Sequence, residues 1–540
     1  MQKAKVGLIV DKKLQPWNIQ DLINLSFDSN IYEISCIIVQ ELSPKKNPSS
    51  IKKNLEFYLF KIICYFESFY VKRFPAYKKY YKKYNIDHLD IPKISVNPLL
   101  SKSGLIYEYS EYDLNQIKDH DLDILIRGGS GILKGGILNI CKKGIISFHH
   151  GNNEVNRGSP PAFWEVMNRH KSTGFIIQIL KEELDAGDVI FKGSIPTSFL
   201  YSLNVVRLYM KANIFMHKTL EDIFSGKKIN IFQKKPYDKK LFKLPSLKTQ
   251  IKYAVKTIFY FLIKISRRLA NKRNEWGVAY QFAIDWKDTV LWKSKKIPNP
   301  KGRFLADPFL ISHKGSNFCF VEDYDFKLNR GLISVIEMSK DKISDPEIVL
   351  SEDFHLSYPY IFEYNGEKYM CPETHQAKEI RLYKSSEFPR KWELVKVLMS
   401  GVSAVDSNIF RLHGKWWMLT NIDTSKTGEH CSELHLFFSK DLLDDTWHPH
   451  PLNPIIFNSE IARNGGFIIE NDNLYRVYQK QGWDNYGEGL GVSRIVKINE
   501  FEYQEDSMFE ISPSFFDNIK GTHTYNYKNG LAVIDFSSIT

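Results

Sequence analysis

Short β-branched runs at Val6–Val10, Tyr32–Val39, Leu122–Arg127, Ile145–Phe148 and Gly174–Leu180 alternate with helical or irregular stretches in the first 240 residues. This alternation predicts an α/β, Rossmann-like unit built on a mostly parallel sheet. Ser202 reads as the cap of a helix running through Leu203, Val206, Met210, Ile214, Leu220 and Ile223, with Gly226 as its stop. The window Ile251–Leu269 places Ile251, Val255, Ile258, Phe259, Leu262, Ile265 and Leu269 at helical spacing, with Lys252, Lys256, Lys264, Arg267 and Arg268 mostly elsewhere. Such a basic amphipathic helix either lies on an anionic membrane surface or packs its stripe between two domains.

Beyond residue 276 the pattern is strands only, and it repeats. Asp307-Pro308-Phe309-Leu310 opens a strand, Gly315 turns it, and Phe318–Val321 returns to Glu322. The same spacing runs from Tyr358 through Gly366 to Glu373, and from Asp406 through Gly414 to Asn421. A fourth copy runs from Asn464 through Asp472 to Gln479, and a fifth starts at Thr522, turns at Gly530 and fades into the C-terminus. The starts are 48–58 residues apart, the length of one four-stranded blade, which predicts an all-β five-bladed β-propeller. The expected organisation is residues 1–240, a basic linker helix over 241–275, and the propeller over 276–540.

A chain of 540 residues with 43% hydrophobic positions can bury a core in each unit. The net charge of +12 changes the picture less than its size suggests. Eleven Lys/Arg and no acid lie between Lys239 and Asn274, and six more basic residues lie in the acid-free stretch Ser68–Ile86. These two segments exceed the whole excess, so no nucleic-acid partner is expected. Six cysteines are scattered without metal or disulfide spacing, and no metal is expected. The first ten residues do not read as a signal peptide, so none is expected, and no window has the 18 apolar residues of a membrane span. The expected location is cytoplasmic, with peripheral contact at the inner face of an anionic membrane through residues 251–269.

The candidate chemistry of the first unit lies between Ile145 and Ile190. Gly128, Gly129, Gly131, Gly135 and Gly136 do not form a dinucleotide fingerprint and read as a tight strand-to-helix turn. Ser147-Phe148-His149-His150 leaves a strand, Arg157-Gly158 and Trp164 follow, then Thr173-Gly174 and Leu184-Asp185-Ala186-Gly187-Asp188. A histidine at a strand end and a carboxylate returning beside glycines form a plausible proton-transfer pair. These positions, in order, resemble the folate-dependent formyltransferases, most clearly over residues 120–225. The resemblance implies 10-formyltetrahydrofolate as formyl donor. It implies His149, Asp185 and Ser147 as catalytic groups, with Gly174, Gly187 and Asp188 toward the cofactor. It also implies His150, Asn152, Arg157 and Trp164 toward the acceptor. The chain departs from the family at Ser147, where the family has asparagine, at Asn156, where it has tyrosine, and in the run Gly151-Asn152-Asn153-Glu154. These changes reshape the acceptor pocket.

In the second unit, Asp307, Glu322, Glu373 and Asp406 are expected to converge in the propeller channel. Paired carboxylates there suit glycoside hydrolysis. Alternatively they satisfy neighbouring backbone amides. The repeat resembles the propellers of arabinanases, xylosidases and invertases. The phrases Phe304-Leu305-Ala306-Asp307-Pro308-Phe309-Leu310 and Tyr369-Met370-Cys371-Pro372-Glu373 resemble the N-terminal domain of plant glucosamine inositolphosphorylceramide transferases. Both imply carbohydrate or glycolipid handling. The combined expectation is a formyltransferase acting on an amino sugar, nucleotide- or lipid-linked. A glycan-processing enzyme with its site in the channel and a non-catalytic glycan- or glycolipid-binding protein stay open beside it.

Overall fold

A computed structural model describes residues 2–41, 51–183, 187–233, 236, 238, 241–270 and 272–539. The chain forms two compact units, Met1–Tyr260 and Phe261–Thr540.

The first unit is built on a seven-stranded sheet. Its strands are β1 (Ala4–Val10), β2 (Tyr32–Gln40), β3 (Lys93–Val96), β4 (Ile124–Arg127), β5 (Ile145–His149), β6 (Ser172–Ile179) and β7 (Asp188–Pro196). They lie in the order β7-β6-β5-β4-β1-β2-β3. β5, β4, β1, β2 and β3 pair in parallel. Val6, Leu8, Ile9 and Val10 of β1 are all buried, as expected for a strand covered on both faces. β6 and β7 run antiparallel. Only residues 180–187 separate them, too few for the crossover of a dozen or more residues that a parallel pair needs.

Four helices matter below: α1 (Trp17–Asp28), α2 (Ile51–Val71), α3 (Tyr201–Phe224) and α4 (Leu247–Leu269). The expected cap of α3 is displaced. Leu200 holds the N-cap position, and Ser202 sits in the first turn with its backbone N–H donating to Glu67 Oε2 of α2 at 2.7 Å. A carboxylate from a distant helix thus meets an orphan first-turn amide, which no local pattern announces. Helix α3 does end as expected, with Gly226 at φ +74° just beyond it.

In α4 only Gln250 and Tyr253 are buried. Gln250 Nε2 donates to the Glu56 and Pro245 carbonyls, and Tyr253 packs with Phe163, Val166 and Met167. The apolar stripe points the other way: Ile251, Val255, Ile258, Phe259, Leu262, Ile265 and Leu269 are 52–81% exposed. Leu241–Phe242 pairs with Arg157–Gly158, so the chain just beyond residue 240 is still woven into the first unit.

The second unit contains, among the described residues, five antiparallel sheets. Their inner strands are β8 (Arg303–His313), β9 (Ser357–Tyr364), β10 (Ala404–Leu412), β11 (Asn464–Glu470) and β12 (Tyr525–Lys528). Each contacts the next and β12 contacts β8, giving a propeller-like ring. The last strand, Leu531–Ile539, pairs along its length with Asn274–Phe282, the first strand of the unit. The fifth copy therefore does not fade. Its sheet is completed from the other end of the unit, so two sequence-distant strands fasten the ring.

The repeat has a backbone cause. Asp307, Tyr358 and Asp406, three copies of one position, have φ of +48°, +45° and +51° and lie in β-bulges of their strands. Left-handed backbone at a non-glycine residue stores strain and re-aims the side chain. Side chains then stitch neighbouring inner strands. Asp307 Oδ2 accepts from Tyr358 N (3.2 Å) and Tyr358 Oη donates to Asn408 Oδ1 (3.0 Å). Asn464 Nδ2 donates to the Asp406 carbonyl (2.8 Å), and Asn526 Oδ1 accepts from Leu310 N (3.1 Å).

Candidate functional site

In the first unit the strand order reverses between β1 and β4, and the carboxyl ends of β1, β4 and β5 open on one edge. Crevices at such switch points are the usual ligand sites of open parallel sheets. Asp11, just past β1, accepts from Ser130 N (2.8 Å) and Gln40 Nε2 (2.9 Å). A Cβ on Gly129 would come within 2.7 Å of both side chains, which is why the glycine run follows β4. Beyond this run come a short strand, Ile132–Lys134, and a 3-10 turn, Gly135–Asn139.

His149 closes β5 and is half-buried. Its Nε2 faces Gly151, where a Cβ would lie 3.4 Å away. Ser147 is buried. Its hydroxyl donates to the Phe148 carbonyl (3.1 Å) and accepts from Arg127 Nη1 at 3.5 Å. The proton that the resemblance would aim at a substrate oxygen is thus turned onto backbone, and a guanidinium stands beside it. Arg127 was not singled out by sequence. Its position at the end of β4, one sheet neighbour from Ser147, is the signal that points to it. Its Nε is buried without a partner among the described residues.

His150 lies in a ring stack, 3.7 Å from Tyr209 and 5.1 Å from Phe148. Burial, with His149 and Arg127 nearby, pushes it down to about 3, so it is neutral. Asn152 shapes its own loop, its Oδ1 accepting from Glu154 N at 3.0 Å. Gly174 lets that loop close on β6, since a Cβ there would meet Asn152 Cβ at 2.9 Å. Arg157 sits in the short pairing with Leu241, and Trp164 stacks on Phe242 at 4.4 Å. Gly187 lies against the Ile179 carbonyl and Gln178 Oε1, and Asp188 pairs with Lys181 at 2.7 Å. Asp185 falls outside the described residues. Thr173, part of the Thr-Gly motif, is fully buried and bonds Thr197 and Asn204, a structural duty.

In the second unit the four singled-out carboxylates do converge. Asp307, Glu322, Glu373 and Asp406 are all buried and feel one another's charge. Sequence reasoning missed the groups around them, among them Arg463, Asp535 and four histidines. Arg463 Nε donates to Asp406 Oδ2 (2.6 Å), its Nη2 lies 3.8 Å from Glu373, and its guanidinium covers the Tyr486 ring at 4.9 Å. His375 Nδ1 meets Glu373 Oε1 at 2.6 Å. His355 Nδ1 accepts from Gly331 N (2.8 Å), leaving Nε2 toward Glu322 at 3.5 Å. His430 Nε2 pairs with Ser403 Oγ at 2.9 Å. His523 contacts Asp535 and stacks on Trp276 at 3.8 Å. The repeat itself held a clue: Arg463 immediately precedes a copy start, and His375 lies two residues past a copy end.

These environments split the carboxyls. Burial pushes Asp406 up to about 8, against the pull of Arg463 and with Glu373 and Asp307 adding to the rise. Burial also raises Glu322 well above the carboxylate range, reinforced by Asp307 and Glu373. Glu373 is buried too, yet its bond to His375 and the charge of Arg463 bring it down to about 2. Such divergence lets one group hold a proton while another stays ionised. Asp307, His523 and Asp535 bring three ligand atoms within 4.8 Å of one another, a donor set that could hold a metal ion.

Similarity to known proteins is of two kinds. One is formyltransferase-like: the methionyl-tRNA formyltransferase of Bacillus subtilis is 27% identical over 189 residues, 33% of this chain and 55% of that protein. The other is glycan-related. Residues 274–535 match the family model for glucosamine inositolphosphorylceramide transferase 1, N-terminal. Glucosamine inositolphosphorylceramide transferase 1 of Arabidopsis thaliana is 35% identical over 229 residues, 41% of this chain and 29% of the plant protein. The chain thus spans less than a third of that relative. A thermostable family-43 glycoside hydrolase structure covers 44% of this chain and 88% of its own at 17% identity, with a TM-score of 0.33.

Proposed function

We propose that the first unit transfers a formyl group from 10-formyltetrahydrofolate to the amine of an amino sugar, nucleotide- or lipid-linked, and that the second, a five-bladed propeller, holds carbohydrate. The observation that carries this is His149 at the carboxyl end of β5, half-buried beside the switch-point crevice with its Nε2 against Gly151. The residues present fit a folate donor in one respect. Gln178 Oε1, next to Gly187, is a buried amide acceptor without a partner among the described residues, suited to a pterin N–H. When bound, the folate supplies a formyl carbon on nitrogen, which the acceptor amine takes as the donor C–N bond breaks. His149 takes the amine proton and returns it toward the leaving nitrogen; the formyltransferase resemblance assigns Asp185 to orient the imidazole or an attendant water. Arg127, beside Ser147, supplies the donor that the Ser147 hydroxyl, bonded to the Phe148 carbonyl, does not offer. Six free cysteines suit a reducing cytoplasm.

The test is tetrahydrofolate release with a panel of amino-sugar nucleotides, comparing wild type with His149→Ala and Asp185→Ala. Loss of ~10²–10⁴ in turnover with an unchanged melting curve supports the reading. Retained activity in both variants sinks it.

A second reading has its own observation. Asp406 and Glu373 are bridged by Arg463 and pushed to opposite sides of neutrality, as glycan-processing chemistry in the second unit would need. Glycosidase or glycosyltransferase activity that survives Glu373→Gln would exclude it.

A further inference from the structure

Helix α4 is not alone in facing outward. α2 turns Phe60, Ile63, Glu67 and Ser68 inward, toward Tyr253, Phe163 and Tyr201. On its opposite side Leu55, Tyr58, Ile62, Tyr65, Phe66 and Phe69 form a second stripe, all at least half exposed. The two helices are neighbours, joined by the Gln250 bond to the Glu56 carbonyl and by Tyr253 Oη donating to Glu67. Each therefore presents an apolar face away from their common core cluster. Within the first unit, the α2 stripe and the α4 stripe from Ile251 to Phe259 leave more apolar side chain exposed than a chain does without a use for it.

Basic side chains surround the patch. Lys61 lies over the Phe57 ring at 4.2 Å, and Lys72 lies 4.9 Å from the Tyr81 ring. Lys248 and Lys252 of α4 are exposed, as are Lys61, Lys72 and Arg73 beside α2. No acid occurs anywhere in α4, and the acids of α2 do not lie on the outer stripe: Glu67 is buried against Ser202 and Tyr253, and Glu56 is half-buried.

We infer that this α2–α4 face docks on an anionic lipid bilayer, with the aromatic stripe of α2 and the aliphatic stripe of α4 at the headgroup boundary. The rival occupant is a second copy of the chain. The spacing permits it, since Leu55, Tyr58, Ile62, Tyr65 and Phe69, and Ile251, Val255, Ile258, Leu262 and Ile265, both recur every three and four residues. Charge decides against it. A copy would bring Lys61 and Lys252 against further lysines with no exposed acid on either stripe to pair them, whereas anionic headgroups complement them. Tyrosine and phenylalanine on α2 also suit the half-wet boundary of a bilayer better than a dry helix seam.

The experiment is flotation of the full chain with neutral phosphatidylcholine vesicles and with vesicles containing phosphatidylglycerol, at low and high salt. Binding is expected to the anionic vesicles and to weaken with salt. Lys61→Glu with Lys252→Glu should reduce it by at least roughly 25-fold, from about a fivefold loss for each positive charge removed. Ile62→Gln with Ile258→Gln tests the apolar component, and it too should lose binding at low salt. All four positions are exposed, and unchanged melting curves would confirm folding. Failure to float with anionic vesicles, or equal flotation with neutral ones, overturns the inference. So does a lipid-free dimer in sedimentation equilibrium that the Gln pair dissociates, since the second copy would then own the face. None of these readouts depends on the activity proposed above.

Discussion

Arg463→Met removes the permanent cation that, among the described residues, touches both Asp406 and Glu373. The guanidinium side chain is 13% exposed and Asp406 2%. The loss has two parts. The lost hydrogen bonds of a buried charged group cost about 1–3 kcal/mol at any pH. The second part depends on pH. The folded-state pKa of Asp406 lies at about 8, above its ordinary 3.8, so its contribution to stability is full below 3.8 and lost as pH rises to about 8. Without Arg463 that pKa climbs further. Wild type and variant then lose stability in parallel up to about pH 8, and only the variant continues to lose it above. At pH 9.5 the extra loss is about 2 kcal/mol, from ~1.4 kcal/mol per pH unit. The total reaches about 3–5 kcal/mol, the usual cost of breaking a buried ion pair. For a unit of this size, with ~2.1 cal/mol/K of unfolding entropy per residue, that is about 5–8 °C in the melting transition of the second unit. Calorimetry at pH 6.5 and 9.5 reads both parts. A gap that stays constant or narrows with rising pH would refute the charge arrangement.

Glu67→Ala should destabilise the first unit by ~2–4 kcal/mol, because Ser202 N and Tyr253 Oη both lose a buried acceptor; Glu67→Gln, which keeps one acceptor oxygen, should lose less in the same melt. Gly466→Ala should cost the second unit at least ~2 kcal/mol, since φ is +138° and the new Cβ would lie 2.2 Å from the Tyr525 carbonyl; denaturant titration measures it. Truncation before Leu531 should remove the cooperative transition of the second unit, because Leu531–Ile539 is the partner of Asn274–Phe282; a retained sharp melt would contradict closure by this strand.

The strands were legible in sequence because each reports on itself: β1, β2, β4, β5 and β6 show as β-branched runs, and the hairpins of the second unit show as a fixed offset from polar start to turn glycine. What was not legible depends on partners far along the chain. Ser202 looks like a cap, yet Glu67, 135 residues away, satisfies the first turn. The strand Asn274–Phe282 belongs to the fifth copy, 250 residues later, and no local repeat can show that. At the candidate sites, carboxylates and His149 stood out by residue type, while Arg127 and Arg463 did not, because a lone arginine in sequence looks like surface. Only the fold reveals them as half-buried cations beside Ser147 and Asp406.

The inner ring of the second unit holds carboxylates of two kinds, and this bears on how its chemistry is probed. Asp307 has both oxygens engaged in holding strands together, Oδ1 by Thr524 Oγ1 at 2.7 Å and Oδ2 by Tyr358 N at 3.2 Å. Its substitution would loosen three sheets at once, so lost activity in Asp307→Asn could not separate chemistry from architecture. Glu373 differs: its partners, His375 and Arg463, are side chains that titrate or carry charge, and among the described residues no backbone amide donates to its carboxylate. Asp406 stands between, its carbonyl fastening Asn464 while its carboxylate faces Arg463 and Gln479. Glu373→Gln is therefore the discriminating change for the second unit. It preserves the shape and removes, of the four carboxyls, the one that its partners hold ionised, and with it the counter-charge that raises His375. In a chemically active site, turnover falls at temperatures well below the variant's melting transition, so the loss is not one of folding. In a purely architectural ring, glycan binding and turnover elsewhere are unchanged.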